Sequence, residues 1–244
     1  SHCYASPYLK AVKGSEHGYD IVDHGQLNPE IGSEADFDRF VAALRQHGLG
    51  HILDFVPNHM GVGSNENPWW QDLLENGPSS QYASYFDIDW TPLKTDLLNK
   101  VLLPVLGEQF GRALENQRLQ LEFADGAFSV AYYDRRFPIA PRTYAMVLGH
   151  RLEELTAALG AENPDALEYQ SILTALHHLP PRETTDPAKR AERDREKEIV
   201  KRRLRALCEQ SPAVLEFIHK NVNIFNGTAG DPGSFDPPQQ VLDE

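Results

Sequence analysis

Cysteine is nearly absent from this sequence, and so are long apolar runs and any excess of positive charge. The two cysteines, Cys3 and Cys208, are too few for a disulfide framework or a metal-binding cluster. No stretch approaches the roughly 20 consecutive apolar residues that a membrane helix needs. The formal net charge of -13 disfavours a nucleic-acid partner, because binding phosphates requires a positive surface. These absences favour a soluble, cytoplasmic enzyme that acts on a neutral substrate, with neither a nucleic-acid nor a membrane partner.

The first sixty residues of the 244 carry the pattern of an α/β unit. A short strand is predicted over residues 2–5 and a polar, glycine-containing loop over 13–32. Ser33 is a good helix N-cap, and Gly48 closes the helix that follows it. The mostly apolar run 51–56, which ends at Pro57, is typical of a strand in a parallel sheet. Strand, loop, helix and strand in this order predict a βαβ unit.

The pattern changes twice after residue 60. The stretch 61–141 is rich in turns and aromatic residues. Within it, Asp125-Gly126 separates two runs of alternating polar and apolar residues, which is a strong hairpin signal. Residues 142–226 have helical periodicity, and the segment 227–244 has no strong pattern of its own. We therefore expect a β-containing subdomain followed by an α-helical one.

Four helices are expected in the helical subdomain. One apolar stripe over 144–159 predicts a single helix, and Pro164 begins the next. Asp186-Pro187 and Ser211-Pro212 each have the form of an N-cap with proline at the first helical position. The mixed charges of 189–205 indicate a solvated helix with many surface ion pairs.

Two polar clusters carry the candidate chemistry. His17-Gly18-Tyr19-Asp20 lies on the loop after the first strand, and Asp54 to His59 ends the second, with Asp54 expected inside the strand. The carboxyl ends of neighbouring parallel strands meet at one rim, where α/β barrels place their sites. Singly, Asp54 is better explained as the cap of a loop and His59 as a turn residue. Together, the two clusters favour a substrate-binding site.

These motifs resemble the α-amylase superfamily (glycoside hydrolase family 13). The Asp54 to His59 segment is similar to the conserved region at the end of barrel strand three, and the His-Gly-Tyr loop is similar to the one after strand two. Further segments resemble the maltooligosyl trehalose synthases within that superfamily: 6–9, 14–15, 17–23, 85–90, 102–107, 225–228 and 230–232.

The resemblance implies the fold and the boundaries of its parts. It indicates an α/β chain that is an internal fragment of a (β/α)8 barrel covering the region of strands 2–3, with two inserted subdomains. Its implied parts are the partial barrel 1–60, the inserted β-rich subdomain 61–141, the α-helical subdomain 142–226, and a return segment towards strand four, 227–244. Barrel strand one and the strands after strand three are expected to lie outside this chain.

The resemblance also implies the activity. Such enzymes convert the reducing-end α-1,4 linkage of a maltooligosaccharide to an α,α-1,1 linkage by intramolecular transglycosylation, in trehalose biosynthesis. The residues expected to bind substrate are His17, Tyr19, Asp20, Asp54, Asn58 and His59. Tyr19 would stack on the sugar, His59 would hydrogen-bond its hydroxyls, and Asp54 would orient an arginine of a later strand.

No catalytic residue, metal ligand or cofactor is expected in this chain. A retaining mechanism needs a nucleophile and an acid/base, and the resemblance places both on later strands. The chain alone is therefore expected to be inactive. Two other functions remain open: a maltooligosaccharide hydrolase of the same superfamily, and a non-catalytic carbohydrate-binding module. The open edges of an incomplete barrel also predict that the chain either self-associates or packs its helical region over the open sheet.

Overall fold

The computed structural model describes residues 1–235 and residue 241. The chain divides into two compact units, Ser1–Trp70 and Gln71–Glu244. The predicted boundaries at residues 60, 141 and 226 remain predictions. The two units are called the first and the second unit below.

The first unit contains four strands and one helix. β1 (His2–Ala5) pairs in parallel with β4 (Gly50–Leu53), and β2 (Leu9–Ala11) pairs antiparallel with β3 (Ile21–Leu27). The helix α1 (Glu34–Gln46) lies between β3 and β4 in the chain. The parallel pair and the intervening helix form the α/β unit that the periodicity predicts.

The ends of α1 agree with the sequence signals. The Ser33 hydroxyl accepts from the backbone N–H of Asp36, whose carboxylate accepts from the backbone N–H of Ser33 at 2.8 Å. This reciprocal capping box satisfies two N–H groups that would otherwise lack partners. After the helix, Gly48 adopts a φ of +62°, a conformation that glycine takes without steric cost.

The prediction of a polar loop over 13–32 is wrong for its second half, because β3 occupies seven of those residues. Ile21 and Val22 are both fully buried, and their burial together with pairing to β2 outweighs the low strand propensity of the residues that follow. Periodicity misses the strand because only Ile21, Val22 and Leu27 of its seven residues are strongly apolar, and they do not alternate with polar residues.

The second unit contains a small sheet and a set of helices. The strands β5 (Leu119–Ala124), β6 (Ala127–Tyr132) and β7 (Arg135–Pro138) form an antiparallel sheet in that order. Two short helices precede it: α2 (Pro68–Asn76), which contains the boundary between the units, and α3 (Phe110–Glu115). The predicted hairpin turn is confirmed, because Asp125 and Gly126 both have positive φ, as a type I′ turn requires.

Five complete α-helices follow the sheet within residues 139–235: α4 (Tyr144–Gly149), α5 (Leu152–Leu159), α6 (Pro164–His178), α7 (Pro187–Gln210) and α8 (Pro212–Phe225). The prediction of a single helix over 144–159 is wrong. Arg151 adopts a φ of +54°, which breaks the helical hydrogen bonding and divides the apolar stripe between α4 and α5. The other three helix starts are confirmed.

One hydrophobic core joins the sheet to the helices. Leu121 and Phe128 of the sheet belong to the same buried cluster as Tyr169, Leu204 and Ile218 of the helices. Asn226, just after α8, fixes this docking. Its side-chain amide accepts from the N–H of Leu121 at 2.6 Å and donates to the carbonyl of Leu121 at 3.0 Å.

The mixed charges of α7 predict a helix surrounded by solvent, but one face of this helix is buried. Arg193 and Lys197 on one face of the helix are 1% and 5% exposed. Lys197 lies 3.2 Å from a carboxylate oxygen of both Asp72 and Glu75, and Lys201 also pairs with Glu75. Burial alone would lower the pKa of Lys197, but the two carboxylates outweigh it and the net pKa is raised.

Among residues 1–235, no helix is long and apolar enough to cross a membrane.

Candidate functional site

The parallel strands β1 and β4 bring the two predicted clusters to one edge of the first unit. Their register pairs Tyr4 with Ile52 and Ala5 with Leu53. The backbone N–H of Asp54 then donates to the carbonyl of Ala5 at 2.8 Å, which continues the ladder by one bond. Asp54 therefore directly follows the strand, and its predicted place inside the strand is wrong. It stands where the carboxyl ends of the two strands meet.

The two faces of this sheet differ in cover. On one face, the ring of His51 contacts the rings of Phe40, in α1, and Tyr8 at centroid distances of 5.3 and 5.7 Å. On the other face, the register partners Tyr4 and Ile52 are 67% and 45% exposed. Side chains alternate along a strand, so Asp54, two residues after Ile52, continues the uncovered face.

Asp54 joins the two clusters by a direct hydrogen bond. The hydroxyl of Tyr19 donates to Oδ2 of Asp54 at 2.7 Å. The carboxylate raises the pKa of Tyr19 above the ordinary value, and it also raises the pKa of Tyr4, because a phenolate beside a carboxylate is disfavoured.

Gly18 explains how the loop of the first cluster reaches Asp54. It is buried, its φ is +73°, and an added Cβ would lie 3.0 Å from the carbonyl oxygen of Pro7. A larger residue would push the loop away from the segment that follows β1. The glycine thus lets Tyr19 approach Asp54.

His17 and Asp20 flank Tyr19 on the same loop. Nδ1 of His17 accepts from the backbone N–H of Tyr19 at 3.0 Å, and the two rings stack at a centroid distance of 5.7 Å. Nδ1 of His17 also lies 3.8 Å from Oδ1 of Asp20. Asp20 accepts a hydrogen bond from the Ser15 hydroxyl.

Asn58 and His59 lie on the exposed segment that follows Asp54. This segment is anchored at its start by Asp54 and at its end by Gly61, whose N–H donates to the carbonyl of Ile21 at 2.8 Å. Within the described residues, neither side chain bonds to the Tyr19 and Asp54 pair. The structure thus joins Tyr19 and Asp54 directly, holds His17 and Asp20 beside Tyr19, and leaves the side chains of Asn58 and His59 exposed.

Two features of this region were missed in the sequence. One is Tyr4, which the alternation along the strand could have placed on the same face as Asp54. The other is an aromatic group around His24, whose ring stacks on Trp69 at 5.7 Å and meets the edge of Phe55 at 5.8 Å. No sequence signal links these three rings, because they become neighbours only through the pairing of the strands and loops.

The described residues offer no place for a metal ion. Within residues 1–235 and Val241, no three histidine, cysteine, aspartate or glutamate side chains are grouped closely enough to hold one. The expected absence of a metal and of a cofactor remains a prediction.

Comparison with known proteins gives a family for the first half of the chain. Residues 2–117 match the family model described as "Alpha amylase, catalytic domain". A Mycobacterium tuberculosis protein named "Putative maltooligosyl trehalose synthase" is 48% identical over 108 residues, which are 44% of this chain and 14% of that protein.

Solved structures extend the similarity to the fold. The maltooligosyltrehalose synthase from Arthrobacter ramosus has a TM-score of 0.50 and 38% identity, over 57% of this chain and 17% of that chain. A second maltooligosyl trehalose synthase structure has a TM-score of 0.52 and 36% identity, over 57% of this chain and 18% of that one. The matched part of this chain spans less than a fifth of each of these proteins. The resemblance to the α-amylase superfamily, and within it to the maltooligosyl trehalose synthases, is thereby confirmed.

Proposed function

We propose that this chain supplies one wall of the active site of an enzyme that converts the reducing-end α-1,4 linkage of maltooligosaccharides to an α,α-1,1 linkage. The observation that carries the proposal is the 2.7 Å hydrogen bond between Tyr19 and Asp54. It joins two motifs that lie 35 residues apart, at the edge where parallel strands end. Both motifs fall within the residues that match the catalytic domain of α-amylases.

The uncovered face of the β1 and β4 sheet supports a partial barrel. In a (β/α)8 barrel, helices cover the outside of the sheet while side chains of the strands fill the interior. α1 contacts one face here, and Tyr4 and Ile52 are exposed on the other. We therefore assign residues 1–60 to the region from the end of barrel strand two to the end of strand three. The predicted parts 61–141, 142–226 and 227–244 complete the proposal as insertions and a return towards strand four.

The six site residues would share the work of binding. Tyr19 would stack its ring on the sugar at the reaction centre, since an aromatic face packs well on the apolar face of a pyranose. His17 lies beside it, and His59 would donate to the sugar hydroxyls. Asp20 and Asn58 would hold the two loops. A carboxylate has about four acceptor positions, so Asp54 can accept from the Tyr19 hydroxyl and still orient an arginine from a later strand.

The chemistry itself would come from outside this chain. A retaining mechanism needs one carboxylate as nucleophile and a second as acid and base, and we propose that later barrel strands supply both. Transfer rather than hydrolysis requires that water be kept from the glycosyl-enzyme while the released glucose turns over and attacks through its own anomeric hydroxyl. We propose a cytoplasmic location and a neutral oligosaccharide as the ligand, with no nucleic-acid partner.

Product analysis tests this function. The complete gene product that contains this chain is incubated with maltopentaose, and reducing ends are counted while the products are separated. We expect reducing ends to disappear and a trehalosyl product of unchanged length to accumulate, because an α,α-1,1 linkage blocks both anomeric carbons. A rise in reducing ends would identify a hydrolase instead, and binding without turnover would identify a carbohydrate-binding module.

The 244-residue chain alone is the matched control for that assay. We expect it to leave the number of reducing ends unchanged.

Light scattering over a concentration series then tests the proposed self-association through the sheet edges, because pairing between open edges grows with concentration. A chain that stays monomeric at every concentration would contradict that part of the proposal.

A further inference from the structure

We propose that Asn67 is a positioning residue of this site, which holds in place the segment that carries Asn58 and His59. This inference rests on the proposed function and adds to it a residue outside both sequence motifs. It starts from residues 54–67, the irregular backbone that connects β4 to α2. Asn58 and His59 are exposed on this backbone, so their positions depend on the residues that anchor it.

The side-chain amide of Asn67 bonds to two parts of the chain at once. Its Oδ1 accepts from the backbone N–H groups of Trp69 and Trp70 at 3.1 and 3.0 Å, which caps the start of α2. Its Nδ2 donates to the carbonyl of Gly61 at 3.0 Å and lies 3.9 Å from Sδ of Met60. The start of the helix and the two residues that follow the strand-end motif thus share one amide.

Burial makes these bonds difficult to replace. Asn67 is 0% exposed, so solvent cannot take the place of a lost partner. A buried amide or carbonyl that loses its hydrogen bond incurs the full cost of having left water. The bond from Asn67 to Gly61 therefore ties the segment firmly to the start of α2.

Gly61 also brings the segment against the loop of the first cluster. Its N–H donates to the carbonyl of Ile21 at 2.8 Å, two residues after Tyr19. An added Cβ on Gly61 would lie 2.7 Å from the carbonyl oxygen of Asp20, closer than real Cβ atoms come. Glycine is therefore required for this approach. Asn67 thus holds the residue at which the segment meets the loop that carries Tyr19.

Glu66, the neighbour of Asn67, binds the loop of the first cluster as well. Its Oε2 accepts from the backbone N–H of Lys13 at 2.8 Å. Two consecutive side chains therefore each hold one of the two substrate-binding stretches. The bond of Glu66 is exposed, whereas that of Asn67 to Gly61 is buried, so we expect the loss of Asn67 to have the larger effect.

Asn67→Asp separates the two tasks of the amide. Aspartate is an equally good N-cap, so its carboxylate still accepts from the start of α2. An ionised carboxylate has no donor for the Gly61 carbonyl, so the segment is released. Asn67→Ala removes both bonds. Asn163→Asp is the matched control, because Oδ1 of Asn163 caps α6 in the second unit in the same way.

The first experiment follows hydrogen exchange of backbone amides in the 15N-labelled chain of 244 residues at a single pH. We expect Asn67→Asp to lower the protection of the Gly61 amide about twofold to tenfold, the range that one lost hydrogen bond implies. The amides of Trp69 and Trp70 should keep their protection in Asn67→Asp and lose it in Asn67→Ala. Asn163→Asp should leave all three amides unchanged. If Gly61 keeps its protection in Asn67→Asp, the proposal is overturned.

The second experiment measures turnover of maltopentaose by the complete gene product. We expect Asn67→Asp to lower kcat about threefold to thirtyfold with little change in KM, because a displaced group at the reaction centre costs the transition state most. In a His59→Ala background the same substitution should lower kcat much less, since the group that it positions is gone. Destabilisation alone would lower activity in both backgrounds alike. Far-UV circular dichroism at the assay temperature shows whether each variant is folded.

Gly61→Ala is a second, independent variant, which keeps the proposal testable if Asn67→Asp does not fold. It leaves the Asn67 side chain intact but places a Cβ against the carbonyl of Asp20. We expect it to lower kcat as well, and again less in the His59→Ala background. An unchanged kcat in folded Gly61→Ala would mean that the approach of the two stretches does not matter, which also overturns the proposal.

The outcomes separate this inference from the proposed function. If His59→Ala lowers kcat but Asn67→Asp does not, the role of Asn67 is overturned and the proposed function stands. If Asn67→Asp lowers kcat equally with and without His59, it acts by another route and its role is also overturned. If the parent forms no α,α-1,1 product, the proposed function falls, and exchange of the Gly61 amide still decides whether Asn67 holds the segment.

Discussion

The two units of the chain differ in how much they bury and in what they leave exposed. In the first unit the buried apolar residues are few: Ala11, Ile21, Val22, Leu44 and Trp70. The second unit has a continuous core in which the sheet and the five helices α4 to α8 take part. The first unit exposes Tyr4 and Ile52 on a sheet face, whereas the second unit even encloses charged groups.

Charged residues make the same contrast. In the first unit, the carboxylate of Asp54 accepts a hydrogen bond from the Tyr19 hydroxyl and carries no cation partner among the described residues, at an open edge. In the second, Lys197 is 5% exposed and is neutralised by Asp72 and Glu75. The second unit thus pairs its buried charges within its own fold, whereas the first unit leaves a carboxylate without a cation at an exposed edge.

Breaking the buried ion cluster should have the largest effect on this comparison. Glu75→Ala leaves Lys197 and Lys201 short of a partner in a nearly water-free place, which typically costs about 3–5 kcal/mol of unfolding free energy. Urea unfolding followed by circular dichroism measures it. Glu209→Ala is the control, since its pair with Arg205 is exposed and is worth only about 0.3–0.5 kcal/mol. Equal losses in both variants would mean that the buried cluster does not stabilise the second unit.

The core of the second unit offers a matched pair on one helix. Leu176 and Leu167 both lie in α6, and they are 0% and 48% exposed. We expect Leu176→Ala to cost about 2–5 kcal/mol, because it removes buried methyl groups and leaves a cavity. Leu167→Ala should cost well under half as much. Thermal and urea unfolding measure both, and a similar cost for the two would contradict the burial assigned to α6.

His59 should show the opposite behaviour, with a large effect on activity and a small one on stability. In the complete gene product, His59→Ala should lower kcat/KM by a factor that corresponds to about 2–4 kcal/mol, because it removes a donor to the sugar in the transition state. His219→Ala, an exposed histidine of the second unit, is the control. Unchanged kinetics in His59→Ala, with normal circular dichroism, would remove His59 from the site.

The smallest expected effect is the pH dependence of the helix cap in the first unit. The bonds from the Ser33 hydroxyl and backbone, together with Arg39, lower the pKa of Asp36. Because folding lowers the pKa of Asp36, the stability that this carboxylate contributes is present when the pH is above the ordinary pKa of an aspartate. That contribution is lost as the pH falls below about 4 and through the folded value. The protection of the α1 amides, which is their exchange rate compared with the intrinsic rate at the same pH, should therefore fall on acidification in the parent.

Asp36→Asn sharpens that measurement. The variant lacks the titrating carboxyl group. The protection of its α1 amides against exchange should therefore change less between about pH 4 and 2 than that of the parent. Asp38→Asn, on the same helix, should behave like the parent. If the parent and Asp36→Asn respond alike to acid, the capping box does not hold the start of α1.

Local chemistry made much of this fold predictable. Ser33, Asn163 and Asp186 each accept hydrogen bonds from the helix that follows them, and the Asp125-Gly126 turn has the two positive φ angles its sequence requires. Such features depend on neighbours in the sequence. A sequence therefore displays them directly.

Features that depend on distant neighbours were less predictable. β3 exists because β2 pairs with it, and the buried face of α7 exists because Glu75 and Asp72 lie against it. The site shows both cases. The loop and strand-end motifs were visible in the sequence, but the pairing of Tyr4 with Ile52, two residues before Asp54, came only from the register of β1 with β4. A register cannot be read from one strand alone.

The amide of Asn226 has a consequence for how the chain is made. It closes both backbone bonds of Leu121, which precedes it by 105 residues. At a synthesis rate of about 5–20 residues per second, Leu121 is made roughly 5–20 s before its partner. The hairpin must spend that time with its core face unprotected or held by other contacts. The sheet is therefore synthesised well before the amide that binds its edge at Leu121. A nascent chain stalled before Asn226 lacks this contact, and we expect it to depend more on a chaperone than the finished chain does.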